Sequence, residues 1–180
     1  MNLLGEAYQS RDKIALISFQ GEFAQLLLPP TRSIAMAKNR LERMPCGGGS
    51  PLAHALNQAA TVGMNAQKSG DVGEVLCVCI SDGRANVPLE ISCGDVDPLD
   101  ENYKPMDKKE LKEELLATAR MLGSLPNFKV LMLDTENKFV STGVAKEIAK
   151  AAMGKYHYIP KASQDAVGAV AKAAIADAKR

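Results

Sequence analysis

The stretch Glu74–Gly83, EVLCVCISDG, decides the fold that the sequence specifies. After Glu74 its residues are apolar up to Ile80, and such a short unbroken run is typical of a strand buried on both faces of a sheet. The run ends at Ser81, and Asp82 and Gly83 follow at once. This segment therefore predicts a buried strand with a carboxylate at its carboxyl end.

Comparable apolar runs alternate with helical patterns along the rest of the chain. Further strands are predicted over Lys13–Phe19, Lys129–Leu133 and Lys155–Ile159. Strands separated by helices indicate an α/β fold, a mainly parallel sheet with helices on both faces. Ligands of such sheets bind beyond the carboxyl ends of the strands. Helices are predicted from Ser33, from Ser50–Pro51, from a capping box at Asp107 and Glu110, near Gly143–Met153, and from Ser163.

One pair of strands departs from the parallel pattern. Ala24–Leu28 follows Lys13–Phe19 after a short connection and is predicted to end at Pro29–Pro30. Since so short a link joins only antiparallel neighbours, the two segments are predicted to form a hairpin. The sheet is therefore expected to carry one antiparallel strand at its edge.

The composition indicates one soluble intracellular domain of 180 residues. Lys and Arg number 22 against 21 Asp and Glu, and this near balance excludes binding of nucleic acid or acidic membranes through bulk charge. No apolar run approaches the roughly 20 residues that cross a bilayer, and the first residues, MNLLGEAYQSRD, lack a secretory signal. The 4 cysteines form no zinc-ribbon pattern and fit reduced thiols inside a cell.

Two loops carry the strongest functional signal, Cys46–Pro51 and Ser81–Gly83. The first places the hydroxyl of Ser50 at a helix start, and the second places the carboxylate of Asp82 at a strand end. Mg²⁺ binds a few oxygen ligands and keeps several waters, so these two groups would suit it if they meet. The alternative interpretation is structural, with Ser50 capping its helix and Asp82 turning the chain.

Other candidate residues point away from catalysis within this chain. Gly47–Gly49 is not followed by the Lys of a phosphate-binding loop, so no ATP site is predicted. Cys77 and Cys79 lie two apart in one strand and are expected to face the same buried side. His54 and His157 have no partners at metal-ligand spacing and are expected to be structural or surface residues. An enzyme that uses Asp82 or Asp134 as an acid or base would need a second catalytic group, which the sequence does not offer.

Three segments, in order, resemble the carboxyl-terminal domain of the magnesium chelatase D subunit. They are 26–56, LLLPPTRSIAMAKNRLERMPCGGGSPLAHAL, then 81–86, SDGRAN, and 133–143, LDTENKFVSTG. The resemblance covers nearly the whole chain and is weakest across 87–127. It implies the von Willebrand factor A (integrin I-like) fold, which agrees with the alternating strands and helices and with the early hairpin.

The resemblance also implies a partial metal site. In that fold a metal-ion-dependent adhesion site combines an Asp-x-Ser-x-Ser loop after the first strand, a hydroxyl from a second loop and an Asp from a third. Ser50 matches the second loop and Asp82 the third, whereas the Asp-x-Ser-x-Ser loop is missing. Because Met1–Gln9 matches part of the first helix, the chain is expected to be a single, N-terminally truncated domain over 1–180. The first, central strand and the family's ATPase-like module are expected to be missing.

The function that the resemblance implies is docking and assembly without a catalytic step. Such a domain would support ATP-dependent insertion of Mg²⁺ into protoporphyrin IX in chlorophyll biosynthesis, with the chelatase I and H subunits as partners. Ser50 and Asp82 would form half of a metal-bridged contact, with Gly49, Arg84 and Asn86 along the same partner-binding rim. The expected location is the chloroplast stroma, or the cytoplasm of a photosynthetic bacterium. The alternative is a stand-alone adhesion-type binding module outside pigment synthesis.

Overall fold

The strands form an antiparallel pair and a separate parallel sheet. The computed structural model describes residues 12–43, 48–70, 72–136 and 142–159, with Ala173, Ala176 and Asp177. The predicted segments at Met1–Gln9 and from Ser163 lie outside these residues, apart from those last three. The described strands are β1 (Ile14–Gln20), β2 (Phe23–Thr31), β3 (Val75–Ser81), β4 (Phe128–Asp134) and β5 (Lys155–Tyr158). β1 pairs with β2 antiparallel, while β3, β4 and β5 are parallel with β4 in the middle. The predicted hairpin and parallel sheet are both confirmed.

Local capping fixes where two of the helices begin. The Ser33 hydroxyl accepts a hydrogen bond from the Met36 amide at 3.4 Å. Asp107 and Glu110 form the predicted capping box, in which each side chain accepts from the other residue's backbone amide. The described helices are α1 (Ile34–Glu42), α2 (Leu52–Lys68), α3 (Leu89–Ser92), α4 (Lys108–Ser124) and α5 (Val144–Ala151).

The main core lies where α2, α4 and α5 pack against the parallel sheet. Cys77 and Cys79 pack into this core, as the sequence predicts. The approach of α2 to the sheet is so close that a Cβ on Gly63 would lie 2.4 Å from the Phe128 ring. The largest buried side chains of this core are Leu52, Leu56, Leu115, Leu122, Met132 and Ile148.

A cavity of about 460 Å³ separates β1 from β3, and we call it the strand slot. Its walls include residues 13, 15–20 and 74–80, and its floor includes Ala55, Ala59 and Ala66 of α2. Among the described residues no strand lies between β1 and β3.

Two local predictions are wrong. β2 does not end at Pro29–Pro30 but continues through both prolines to Thr31, which an edge strand tolerates because its outer amides need no partner. Ser50 does not cap α2, whose N-cap is Pro51 and has no side-chain capping bond. The backbone of Ser50 is instead held by a distant residue, Asn86.

Candidate functional site

The carboxyl ends of the parallel strands bring polar side chains together at one edge of the sheet. In the register of the sheet Ser81 lies beside Asp134, and Asp134 lies beside Tyr158. The loops that follow β3 and β4 therefore begin next to each other, as expected where such sheets bind ligands. We call the following set the polar edge: Ser50, Asp82, Arg84, Asn86, Asp134 and Glu136.

Asp82 is held half-exposed by the turn that follows β3. Its Oδ1 accepts a hydrogen bond from the Arg84 amide at 3.1 Å, and its Oδ2 lies 3.7 Å from Arg84 Nε. The turn needs glycine at position 83, where φ is +76° and a Cβ would lie 2.7 Å from the Ala145 amide nitrogen. The side chain of Asp82 is 42% exposed, so its carboxylate is available to a ligand or partner.

Ser50 reaches the same edge through Asn86. The Ser50 amide donates to Asn86 Oδ1 at 2.6 Å, and the Asn86 amide donates to the Ser50 carbonyl at 3.3 Å. Gly49 fits between two chain segments, because a Cβ there would lie 2.2 Å from the Gly21 carbonyl and 2.8 Å from a Val87 methyl. Since α2 does not use the hydroxyl of Ser50 as a cap, the capping alternative is wrong. The two predicted residues are thus joined by the loop 82–86.

Asp134, by contrast, is a buried structural carboxylate. It is 2% exposed, and it accepts hydrogen bonds from the Glu136 amide at 2.7 Å and from the Tyr156 hydroxyl at 2.6 Å. Burial and this hydrogen bond raise the pKa of Tyr156, so the phenol remains a donor. An acid or base role for Asp134 therefore has no support in its surroundings.

Glu136 belongs to the site but was not predicted. Its side chain is 2% exposed, its Oε2 accepts from the Thr142 amide at 2.8 Å, and its Oε1 lies 3.7 Å from a terminal nitrogen of Arg84. Arg84 thus lies between the buried carboxylate of Glu136 and the half-exposed carboxylate of Asp82. The sequence does contain a signal, because Arg84 and Glu136 each stand two residues after an acid at a strand end. Asp82 directly follows β3, and Asp134 is the last residue of β4.

Two residues of the polar edge, Ser50 and Asp82, are the predicted Mg²⁺ ligands. Ser50 and Asp82 offer two oxygen ligands, whereas Mg²⁺ requires near-octahedral coordination. The guanidinium of Arg84 beside Asp82 also opposes a cation there. The described residues contain no group of three or more His, Cys, Asp or Glu side chains placed to hold a metal ion.

Comparison with solved structures assigns the fold. The chain superposes on the VWA domain of SpRpn10 with a TM-score of 0.64, over 95% of this chain and 77% of that one, at 11% sequence identity. No protein-family model matches the sequence. The chain therefore has the fold of the von Willebrand factor A class, with mixed α/β architecture.

Sequence relatives narrow the assignment. The magnesium-chelatase 67 kDa subunit of Heliobacterium mobile is 45% identical over 173 residues, which are 96% of this chain and 24% of that protein. The uncharacterized protein MJ0910 of Methanocaldococcus jannaschii is 31% identical over 169 residues, 93% of this chain and 86% of that protein. The chain belongs to the family of the C-terminal domains of magnesium-chelatase D subunits, and it spans about a quarter of the Heliobacterium relative. None of the described helices is both long enough and apolar enough to cross a membrane.

Proposed function

We propose that this chain is a docking and assembly domain of a magnesium chelatase D subunit, with no catalytic step of its own. In this role it would support ATP-dependent insertion of Mg²⁺ into protoporphyrin IX by contacting the I and H subunits. The observation that carries the proposal is the half-exposed carboxylate of Asp82, joined to Ser50 through loop 82–86 at the carboxyl edge of a parallel sheet. The relationship to the Heliobacterium 67 kDa subunit is the reason for proposing magnesium chelatase as the complex in which the chain acts.

The docking surface is the rim made by Gly49, Ser50, Asp82, Arg84 and Asn86. The side chains of Arg84 and Asp82 are 56% and 42% exposed, so the rim presents a cation and an anion side by side. A partner with the opposite arrangement would bind both charges. Mg²⁺ enters this proposal only as a bridging ion whose remaining ligands come from the partner, since two protein oxygens are a poor site.

Replacement of Asp82 tests this surface. Asp82→Ala removes the exposed carboxylate, so we expect capture of purified I or H subunit by the 180-residue chain to fall about tenfold, a difference of about 1.4 kcal/mol. Asp95→Ala is the matched control, because Asp95 is also exposed but is not one of the rim residues. Circular dichroism checks that both variants fold. Equal capture by Asp82→Ala and the parent chain would mean that the rim is not the docking surface.

A location in the cell follows from the same assignment. The relatives named above come from prokaryotes, which favours the bacterial cytoplasm over the chloroplast stroma. Fractionation of source cells with an antibody against the chain distinguishes the two compartments.

A stand-alone adhesion-type binding module is the second candidate. It is favoured by one observation, that the chain matches 86% of the Methanocaldococcus relative, which therefore consists largely of this domain. Affinity purification of the tagged chain from its source separates the candidates. Recovery of chelatase subunits supports the docking domain. Recovery of a different stoichiometric partner without chelatase subunits supports the stand-alone module.

A further inference from the structure

The most exposed large apolar side chain among the described residues is Leu99, which is 88% exposed. It lies in residues 94–102, GDVDPLDEN, which we call the acidic loop. The loop contains four Asp or Glu residues, all of them exposed, and no Lys or Arg. An apolar side chain surrounded by charges of one sign is complementary to an apolar surface surrounded by the opposite sign.

Hydrogen bonds hold the acidic loop in one shape. The Asp97 carboxylate accepts from the Leu99 amide at 2.9 Å. Tyr103, just after the loop, donates its amide to the Asp100 carbonyl at 3.0 Å and its hydroxyl to Glu90 at 3.0 Å. A loop that is already ordered loses little conformational entropy when it binds. Leu99 is therefore presented to solvent as a fixed apolar anchor with carboxylates around it.

Helix α1 presents a surface of the opposite charge. Met36 of this helix is 51% exposed. Arg40 and Arg43, four and seven residues later, share its side of the helix and are also exposed. Lys38 and Glu42 form an ion pair with each other on another side. We call Met36, Arg40 and Arg43 the basic face, in which an adaptable thioether side chain lies beside two guanidinium groups.

The acidic loop and the basic face do not meet within one molecule. The Ser92 hydroxyl, just before the loop, donates to the Glu22 carbonyl at 2.7 Å, next to the first residue of β2. Helix α1 begins shortly after Thr31, the last residue of β2, and a nine-residue strand is about 30 Å long. Leu99 and Met36 both remain exposed. A contact between the two surfaces therefore requires a second molecule.

We propose that the acidic loop of one chain binds the basic face of a second copy of the same chain, with Leu99 against Met36. The carboxylates of the loop then surround the apolar contact and pair with Arg40 and Arg43, an apolar centre with a charged rim. The contact joins two different surfaces, so each added copy leaves one of each kind available, and association can continue beyond a dimer. It uses none of the rim residues of the polar edge, so it can fail or hold independently of the docking function.

Analytical ultracentrifugation of the 180-residue chain tests the proposal. We expect an average mass that rises with protein concentration at low salt and falls toward the monomer as salt is added, because salt screens exposed charges. Leu99→Ser and Met36→Ser should each weaken self-association about tenfold or more. Met153→Ser is the matched control, since Met153 is 76% exposed but belongs to neither surface. Circular dichroism checks that the variants fold.

Two charge variants show which surfaces meet. The loop variant carries Asp95→Lys and Glu101→Lys, and the helix variant carries Arg40→Glu and Arg43→Glu. Each variant alone should be monomeric, because its loop and its helix no longer have opposite charges. An equimolar mixture should form a 1:1 dimer, because the intact loop of one variant meets the intact basic face of the other. Lys38→Glu changes a charge on another side of α1 and should leave self-association unchanged.

Three results would overturn the proposal. The first is a parent chain that stays monomeric at low salt up to about 1 mM, where even a contact of millimolar Kd is detected; any partner of the acidic loop would then be a different protein. The second is self-association that Leu99→Ser and Met36→Ser both leave intact, which would place the contact elsewhere. The third is a mixture of the two charge variants that remains monomeric.

Discussion

His54 holds the hairpin to α2 through a hydrogen bond that only a neutral imidazole can make. Its Nδ1 accepts from the Ala24 amide at 3.1 Å, and its Nε2 lies 3.4 Å from the Gln58 amide nitrogen. Burial lowers the pKa of His54 from its ordinary value of 6.5. The unfolded chain therefore takes up a proton more readily than the folded chain, so acid favours unfolding through this residue.

A pH-dependent loss of stability follows from this bond. The contribution of His54 should be complete above about pH 6.5 and should be lost as the pH falls below that value toward the lowered pKa of the folded state. We expect His54→Gln to show a smaller fall in the free energy of unfolding than the parent chain between about pH 7.5 and about pH 5.5. Urea unfolding measures this free energy for both proteins at each pH. An equal fall in the parent chain and in His54→Gln would exclude His54 as the cause.

At the scale of helices and strands, local features could be predicted and distant ones could not. The Asp107–Glu110 capping box depends on residues three apart, and the structure has it as the sequence predicts. The role of Ser50 depends on Asn86, which is 36 residues away, so a local pattern suggested a helix cap instead. The continuation of β2 through Pro29–Pro30 likewise depends on the position of this strand at a sheet edge, which the prolines themselves do not indicate.

The capping box gives a prediction about the stability of α4. Asp107→Ala removes the acceptor that the Lys109 and Glu110 amides use, at 2.7 and 2.8 Å. We expect the free energy of unfolding to fall by about 0.5–2 kcal/mol, as at other N-caps. Asp107→Ser should restore most of the loss, because serine is also a good N-cap. Chemical denaturation checks both variants, and an unchanged midpoint for Asp107→Ala would show that α4 does not need this cap.

At the candidate site, the sequence predicted the positions of Ser50 and Asp82 better than that of the buried Glu136. Ser50 and Asp82 stand at predicted element ends, where a pattern of apolar runs is informative. Glu136 is charged, and its burial depends on how the loop after β4 folds back to Thr142. Charged residues are rarely buried without a partner, so a sequence pattern favours the surface for such a residue.

At the scale of the whole molecule, the described part of the chain has a cavity between β1 and β3 and no strand that joins the two sheets there. Folded domains have a net stability of only about 5–15 kcal/mol, and each large apolar side chain left partly exposed forgoes about 1–3 kcal/mol. Ile80 is such a side chain, because it is 51% exposed and therefore forgoes part of its stabilising burial. We therefore expect the 180-residue chain to be marginally stable.

Thermal unfolding with and without Mg²⁺ tests this expectation. The chain alone should unfold at a low temperature that Mg²⁺ does not raise, because Ser50 and Asp82 are only two ligands and Arg84 lies beside one of them. Extension by the upstream segment of the Heliobacterium relative should raise the unfolding temperature and make it respond to Mg²⁺. Asp82→Ala in the extended chain should abolish that response. A cooperative transition at high temperature in the 180-residue chain, with no gain from the extension, would contradict the prediction.

The thiols of β3 have a chemical consequence for the living cell. Burial raises the pKa of Cys77 to about 11, so at neutral pH it holds almost no thiolate, and burial raises the pKa of Cys79 as well. Oxidants and alkylating agents react with thiolates, so the pair reacts slowly at neutral pH although both residues line the strand slot. Cys93 is exposed. The rate at which a thiol reagent consumes the pair, relative to the rate for Cys93, therefore measures how strongly the surroundings of β3 hold both thiols in the protonated form.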